Sequence, residues 1–135
     1  MGKSKILVVD DERDMRIFVS TVVETMGYEA IVAKDGAEGL IKAGSNPLAL
    51  VILDVMMPKI DDGIQTYRQF KTDPSLAHIP IIMLSAIAKK TFLHSIKMLS
   101  PQQGPQLPEP EAYMEKPPDA NELSRLISEL LVADS

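Results

Sequence analysis

Residues 48–58, LALVILDVMMP, restrict the fold more than any other stretch of the chain. Six apolar residues in a row lead into a lone carboxylate, Asp54, and a proline closes the segment. An unbroken Leu/Val/Ile run of this kind reads as a strand buried on both faces, as in parallel sheets covered by helices. Burying an unpaired carboxylate is costly, so Asp54 has to lie at the rim of such a sheet, facing charged partners or a cation.

The 135 residues fit one domain, spanning 1–135. A chain near this size buries roughly two-thirds of its unfolded surface, enough for a core without covalent staples. There is no cysteine, so disulfides, thiolate metal sites and thiol catalysis are excluded. No apolar run approaches the length of a membrane span, and the first residues carry no signal-peptide pattern. Gly2 does not make a myristoylation site, because Ile6 stands where Ser or Thr is needed. The expectation is a cytoplasmic protein with no membrane contact. A net charge of −5, with no Trp and few aromatics, argues against direct nucleic-acid binding.

Apolar spacing sets out the elements. Residues 5–9 (KILVV) form a first strand, ending in Asp10-Asp11-Glu12. Met15, Phe18, Val19, Val22, Val23 and Met26 recur as one helical face, with Gly27 as the residue that closes it. Residues 28–33 suit a strand, Asp35-Gly36 a turn, and 37–43 a short helix. After the central strand, Ile64, Tyr67, Arg68 and Phe70 place a helix over 64–71. Residues 79–84 form a fourth strand with Ser85 at its end, and a helix over 89–99 follows. Residues 100–110, with prolines at 101, 105, 108 and 110, are expected to be neither helix nor central strand. Residues 111–115 suit a short fifth strand before Lys116. Asp119 and Glu122 then form a capping box for a last helix carrying Leu123, Leu126, Ile127, Leu130 and Leu131. The methionines at 15, 26, 56, 57, 83 and 98 read as core filler, and His78 and His94 as surface or edge residues.

Five strands alternating with five helices give an α/β fold: a doubly wound, five-stranded parallel sheet with right-handed crossovers. Sites in such sheets lie beyond the carboxyl ends of the strands. The groups ending the apolar runs are Asp10-Asp11, Asp54, Ser85 and Lys116. Each alone has an ordinary structural reading as a helix cap, a turn hydroxyl or a surface charge. Their joint placement at strand ends, gathered on one rim by the fold, is a functional signal. Clustered carboxylates need a cation, and Mg²⁺ would accept Asp11, Asp54, a backbone carbonyl near Met56, and water. With the Lys116 ammonium and the Ser85 hydroxyl, the set suits a phosphoryl group on Asp54, which acts as the nucleophile.

In KILVVDDERDMR, VILDVMMPKIDDG, IIMLSA and AYMEKPPDANELSRLI, the sequence resembles the receiver domain of two-component response regulators, including stand-alone regulators of the chemotaxis type. The resemblance covers essentially the whole chain. It implies a flavodoxin-like (βα)5 fold with strand order 2-1-3-4-5. It further implies that Asp54 is the phosphoacceptor, Asp11 a direct Mg²⁺ ligand, Asp10 a ligand through water, and the Met56 carbonyl the last protein ligand. Ser85 would be the switch hydroxyl, Lys116 the phosphoryl-contacting lysine, and Tyr113 the aromatic switch that turns inward. A cis Lys116–Pro117 bond is expected. The donor would be a sensor histidine kinase or phosphotransfer protein, acting on a monomer or a phosphorylation-dependent dimer that signals to a downstream protein through the fourth helix, fifth strand and fifth helix.

Two departures from the family pattern stand out. The loop MPKIDDG carries one extra residue, which leaves Gly63 one place late, and residues 100–110 lengthen the chain between Ser85 and Lys116. Lengthening a surface loop costs little, so a tolerated insertion is the simpler reading and altered partner choice or a blocked dimer the sharper one. Met56 and Ile87, both apolar, would flank the phosphoryl group without orienting a water. The expected chemistry is self-catalysed phosphoryl transfer with slow loss, not enzymatic turnover. The alternative is an aspartyl-nucleophile phosphatase of haloacid-dehalogenase type, but that chemistry places a second Asp where Met56 stands. A flavodoxin-like FMN site would need a phosphate-binding loop where this chain has DDERD.

Overall fold

The structure is a computed structural model that describes residues 3–56, 60–103 and 107–132. In it β1 (Lys5–Val9), β2 (Glu29–Ala33), β3 (Leu48–Asp54), β4 (Ile81–Ser85) and β5 (Ala112–Glu115) form one sheet in the order β2-β1-β3-β4-β5. Every pairing is parallel, so each strand's carboxyl end lies on the same rim. The helices are α1 (Arg13–Thr25), α2 (Gly36–Ser45), α3 (Ile60–Thr72), α4 (Lys89–Gln103) and α5 (Ala120–Val132).

Period-two alternation divides the core. Leu7, Val9, Val51, Leu53, Ile81 and Met83 point to one face, where Ala43 of α2, Ile64, Tyr67 and Phe70 of α3, and Phe92 and Ile96 of α4 cover them. Ile6, Val8, Leu50, Ile52, Ile82 and Leu84 point to the other, under Val19 and Val23 of α1 and Leu123 and Ile127 of α5. Residues of the central strand between Leu50 and Leu53 are at most 1 % exposed, as a strand buried on both faces requires.

Local signals fix the helix ends. Gly27, at φ 96°, takes the left-handed conformation that closes α1. Asp35 accepts the Glu38 amide at 2.8 Å and so caps α2, where the sequence suggested only a turn. Asp119 accepts the amides of Asn121 and Glu122 at 2.7 and 3.1 Å at the head of α5.

Several expectations need correcting. Helix α3 begins at Ile60, four residues before the predicted start, since its first turn lacks the apolar spacing that marked the rest. A Cβ at Gly63 would collide with the Val55 carbonyl, so this glycine lets the first turn of α3 lie against the end of β3. Helix α4 runs through Pro101, although the prolines predicted no helix there. Pro101 falls in the last turn, where its missing N–H removes one hydrogen bond and nothing further along is disrupted. Met98 is 63 % exposed and is not core filler, and Phe18, 37 % exposed, sits at the edge of its face. Met57 and the extra residue of the MPKIDDG loop fall on or beside residues 57–59, outside the described residues.

The segment 107–111 is no loose insertion. Leu107 is buried within the core cluster, and Pro110 is buried as well. The Tyr67 hydroxyl donates to the Pro108 carbonyl. Glu111 holds Lys71 through both carboxylate oxygens at 2.9 and 3.0 Å, and Glu111 Oε1 also accepts the Ile81 amide at 2.8 Å.

Candidate functional site

Asp10, Asp54, Ser85 and Lys116 lie at or just past the ends of β1, β3, β4 and β5, and the parallel sheet brings them to one rim. Two backbone bonds continue the ladder into the site: Asp10 N–H to the Ala33 carbonyl at 3.1 Å, and Lys116 N–H to the Ser85 carbonyl at 2.7 Å.

Three strand ends make the same local turn. Asp10 Oδ1 accepts the Glu12 amide at 2.9 Å, Asp54 Oδ1 the Met56 amide at 3.0 Å, and Ser85 Oγ the Ile87 amide at 3.1 Å. These bonds to residue i+2 orient each side chain and leave the second carboxylate oxygen of each aspartate for the pocket. There the Lys116 ammonium lies 3.1 Å from Asp10 Oδ2, 3.5 Å from Asp54 Oδ2 and 3.1 Å from Glu12 Oε1.

The charges do not balance. Asp10 and Asp54 are each 2 % exposed, while Asp11 and Glu12 face solvent. Asp10, Asp11 and Glu12 bring carboxylate oxygens within 4.8 Å of one another. Burial, and then the neighbouring Asp10 carboxylate, raise the Asp54 pKa to about 7, despite the opposing pull of Lys116 and the Met56 amide. Asp10 is also raised, by burial first. Burial pulls Lys116 down, but Asp54 and Asp10 outweigh it and hold the ammonium above its ordinary value. A pocket with four carboxylates and one ammonium is short of positive charge, and its donors are hard oxygens suited to a divalent cation.

Sequence reasoning missed two of these groups. Glu12 reaches Lys116, and its signal was its place as the third acid in the run after β1. Arg16 Nη1 donates to the Asp10 carbonyl at 2.8 Å, one helical turn further on, which its spacing could have suggested. Tyr113, in β5, is half-buried and its hydroxyl donates to the Ile87 carbonyl at 2.7 Å, so its ring points inward toward the β4–α4 loop. Met56 and Ile87 are partly buried against the core. The Lys116–Pro117 bond is cis, as expected. His78 and His94 are exposed.

Comparisons with known proteins agree with this geometry. Residues 6–100 match the response regulator receiver domain. A probable transcriptional regulator, ycf27, of Porphyra purpurea is 42 % identical over 87 residues, which are 64 % of this chain and 34 % of that protein. The polar-differentiation response regulator DivK of Brucella anthropi is 34 % identical over 90 residues, 67 % of this chain and 72 % of the relative. Among solved structures, the chemotaxis protein CheY4 of Vibrio cholerae superposes with a TM-score of 0.79 at 25 % identity, covering 96 % of this chain and all of its own. The chain thus spans about a third of the length of several curated relatives, and most of the others named. Among the described residues, no helix is long and apolar enough to cross a membrane.

Proposed function

The chain belongs to the response regulator receiver domain family, and from that premise we propose that Asp54 is its phosphoacceptor and that phosphorylation draws in the Ser85 hydroxyl and favours the inward position of Tyr113. The observation that carries this reading is the shared ammonium: one Lys116 Nζ contacts the free oxygens of both buried aspartates. In the transfer, an Asp54 carboxylate oxygen attacks the phosphorus of a phosphoramidate or acyl phosphate donor. The bond from phosphorus to the donor breaks, and the donor leaves with the electron pair, to be protonated by solvent. Lys116 would meet one phosphoryl oxygen, and Ser85, at the end of the neighbouring strand, another.

Asp11, Asp54 and the Met56 carbonyl would hold Mg²⁺, with Asp10 joined through water. Bound there, the ion supplies charge that offsets the carboxylates and the incoming phosphoryl oxygens. The phosphoryl donor is a histidine kinase or phosphotransfer protein. The output face is α4, β5 and α5, and the downstream partner recognises it as a monomer or a phosphorylation-dependent dimer. The domain spans the whole chain, with residues 100–110 as its insertion.

No separate enzymatic turnover is assigned. Met56 and Ile87, two places beyond Asp54 and Ser85, are apolar and orient no water, so the phosphorylated form decays slowly. The haloacid-dehalogenase alternative draws no support from the family match, and Met56 takes the place of its second aspartate. The test is intact-protein mass after incubation with Mg²⁺ and acetyl phosphate. One phosphoryl group is expected on the native chain and none on Asp54→Asn; equal labelling of both would refute the assignment.

A further inference from the structure

The Pro-rich segment and the Ser85–Tyr113 pair are joined by a line of aromatic rings. Tyr113 packs on Phe92 of α4 with ring centres 5.6 Å apart, and Phe92 meets Tyr67 of α3 edge-to-face at 5.8 Å. Tyr67 is fully buried and ends in its hydrogen bond to the Pro108 carbonyl. Burial and the nearby Glu111 and Glu109 carboxylates push the Tyr67 phenol above its ordinary pKa, so it remains a donor at neutral pH.

Both ends of this line are fixed. At one end, Ile87 is held twice: its carbonyl accepts from the Tyr113 hydroxyl and its amide donates to Ser85 Oγ. At the other, residues 107–111 are anchored by the buried Leu107 and Pro110 and by Glu111, which ties them to Lys71 and to the start of β4. The Lys71 side chain is only 4 % exposed although Glu111 is 38 % exposed, so the ion pair is screened on one side and the part-buried bond from the Ile81 amide completes the anchor. Close-packed rings cannot shift independently of one another, and a change in Tyr113 has to be accommodated at Phe92 and Tyr67.

We propose that Tyr67 is a positioning residue for the phosphorylation switch: braced by the 107–111 segment, it supports Phe92 and thereby holds Tyr113 in its inward position. The segment inserted before β5 is therefore part of the switch and not a neutral lengthening of a loop. The proposal rests on the phosphoacceptor reading above. If the brace favours inward Tyr113, and the phosphoryl group favours it too, then by linkage phosphorylation tightens the 107–111 segment and loss of the brace weakens loading.

The test uses the full chain with Mg²⁺ and beryllofluoride, an analogue of the bound phosphoryl group, read by hydrogen exchange and by titration. Exchange at residues 52–56 reports loading of Asp54 on its own, separately from the brace. In the native chain, loading is expected to slow amide exchange at Leu107, Glu109 and Glu111 by about fivefold or more, the lower end of ordinary allosteric coupling. Tyr67→Phe keeps the ring against Phe92 but removes the bond to Pro108. It is expected to abolish the slowing and to weaken beryllofluoride binding by a similar factor. Glu109→Gln removes the exposed contact with Lys89, 3.8 Å in length, and one carboxylate near the Tyr67 phenol but leaves the Tyr67–Pro108 bond in place, and is expected to leave both readouts unchanged. Protection at 52–56 with none at 107–111 would overturn the proposal, as would native affinity in Tyr67→Phe or an equal loss in Glu109→Gln. Absence of protection at 52–56 would instead overturn the phosphoacceptor reading on which it stands.

Discussion

Replacing Asp54 with Asn should make the metal-free protein more stable, and by an amount that grows with pH. Asp54 is 2 % exposed, and its pKa is raised from the ordinary 3.8 to about 7 by burial and by Asp10. Between these values the folded state binds a proton that the unfolded state has lost, so stability falls as pH rises through this window and levels off above pH 7. A gap of about three pH units, at about 1.4 kcal/mol each, sets a ceiling of about 4 kcal/mol at pH 8. Asn retains an acceptor for the Met56 amide but gives Lys116 no charge, leaving that ammonium with Asp10 and Glu12 at 3.1 Å each. The net expectation is a gain of about 2–3 kcal/mol at pH 8 and close to nothing near pH 4. At this chain length that is a rise of roughly 10 °C in Tm at the higher pH. Urea unfolding followed by far-UV circular dichroism, in EDTA from pH 4 to 8, measures it. A gain that does not change with pH, or a loss at pH 8, would refute the reasoning. Mg²⁺ should narrow the difference, because it stabilises the native chain in proportion to its binding.

Three further outcomes follow from the same contacts. Lys116→Met leaves Asp10 and Asp54 buried without their cation and should cost about 3 kcal/mol at pH 8, less at pH 5 where the acids take up protons; urea midpoints at the two pH values compare them. Gly63→Ala should lose about 2 kcal/mol in the same assay, despite the better helix propensity of Ala, because its Cβ meets the Val55 carbonyl. Arg68→Met should be neutral or should gain about 1 kcal/mol, since Arg68 Nε and Nη2 are buried with no hydrogen-bond partner among the described residues; thermal unfolding would show it.

The sheet was legible because its strands are continuous apolar runs, and the rim because a different polar group ends each run. Asp10, Asp54, Ser85 and Lys116 could be placed together from topology alone, without any contact being known. What could not be read from the sequence depends on partners distant along the chain. Glu12 had no role legible in the sequence beyond its place after β1, and Lys116, from beyond β5, comes within 3.1 Å of it. The prolines of the 100–110 segment signalled extended chain, and backbone propensity carries no information on burial. Leu107 and Pro110 are buried, and their neighbours Pro108 and Glu111 are bonded to Tyr67, Lys71 and the β4 amide, which neither spacing nor composition connects to them. The start of α3 was missed for a related reason: Gly63, a poor helix former, is required there by the backbone of β3.

Locating the acyl phosphate tests the central claim most directly. The chain would be phosphorylated with acetyl phosphate and Mg²⁺, reduced with borohydride to convert the acyl phosphate to an alcohol, digested, and sequenced by mass spectrometry. Conversion at Asp54 alone, lost when Lys116 is replaced by Met or when EDTA is present, is the predicted result. Conversion at Asp10 or Asp11, or none at Asp54 in the native chain, would contradict it.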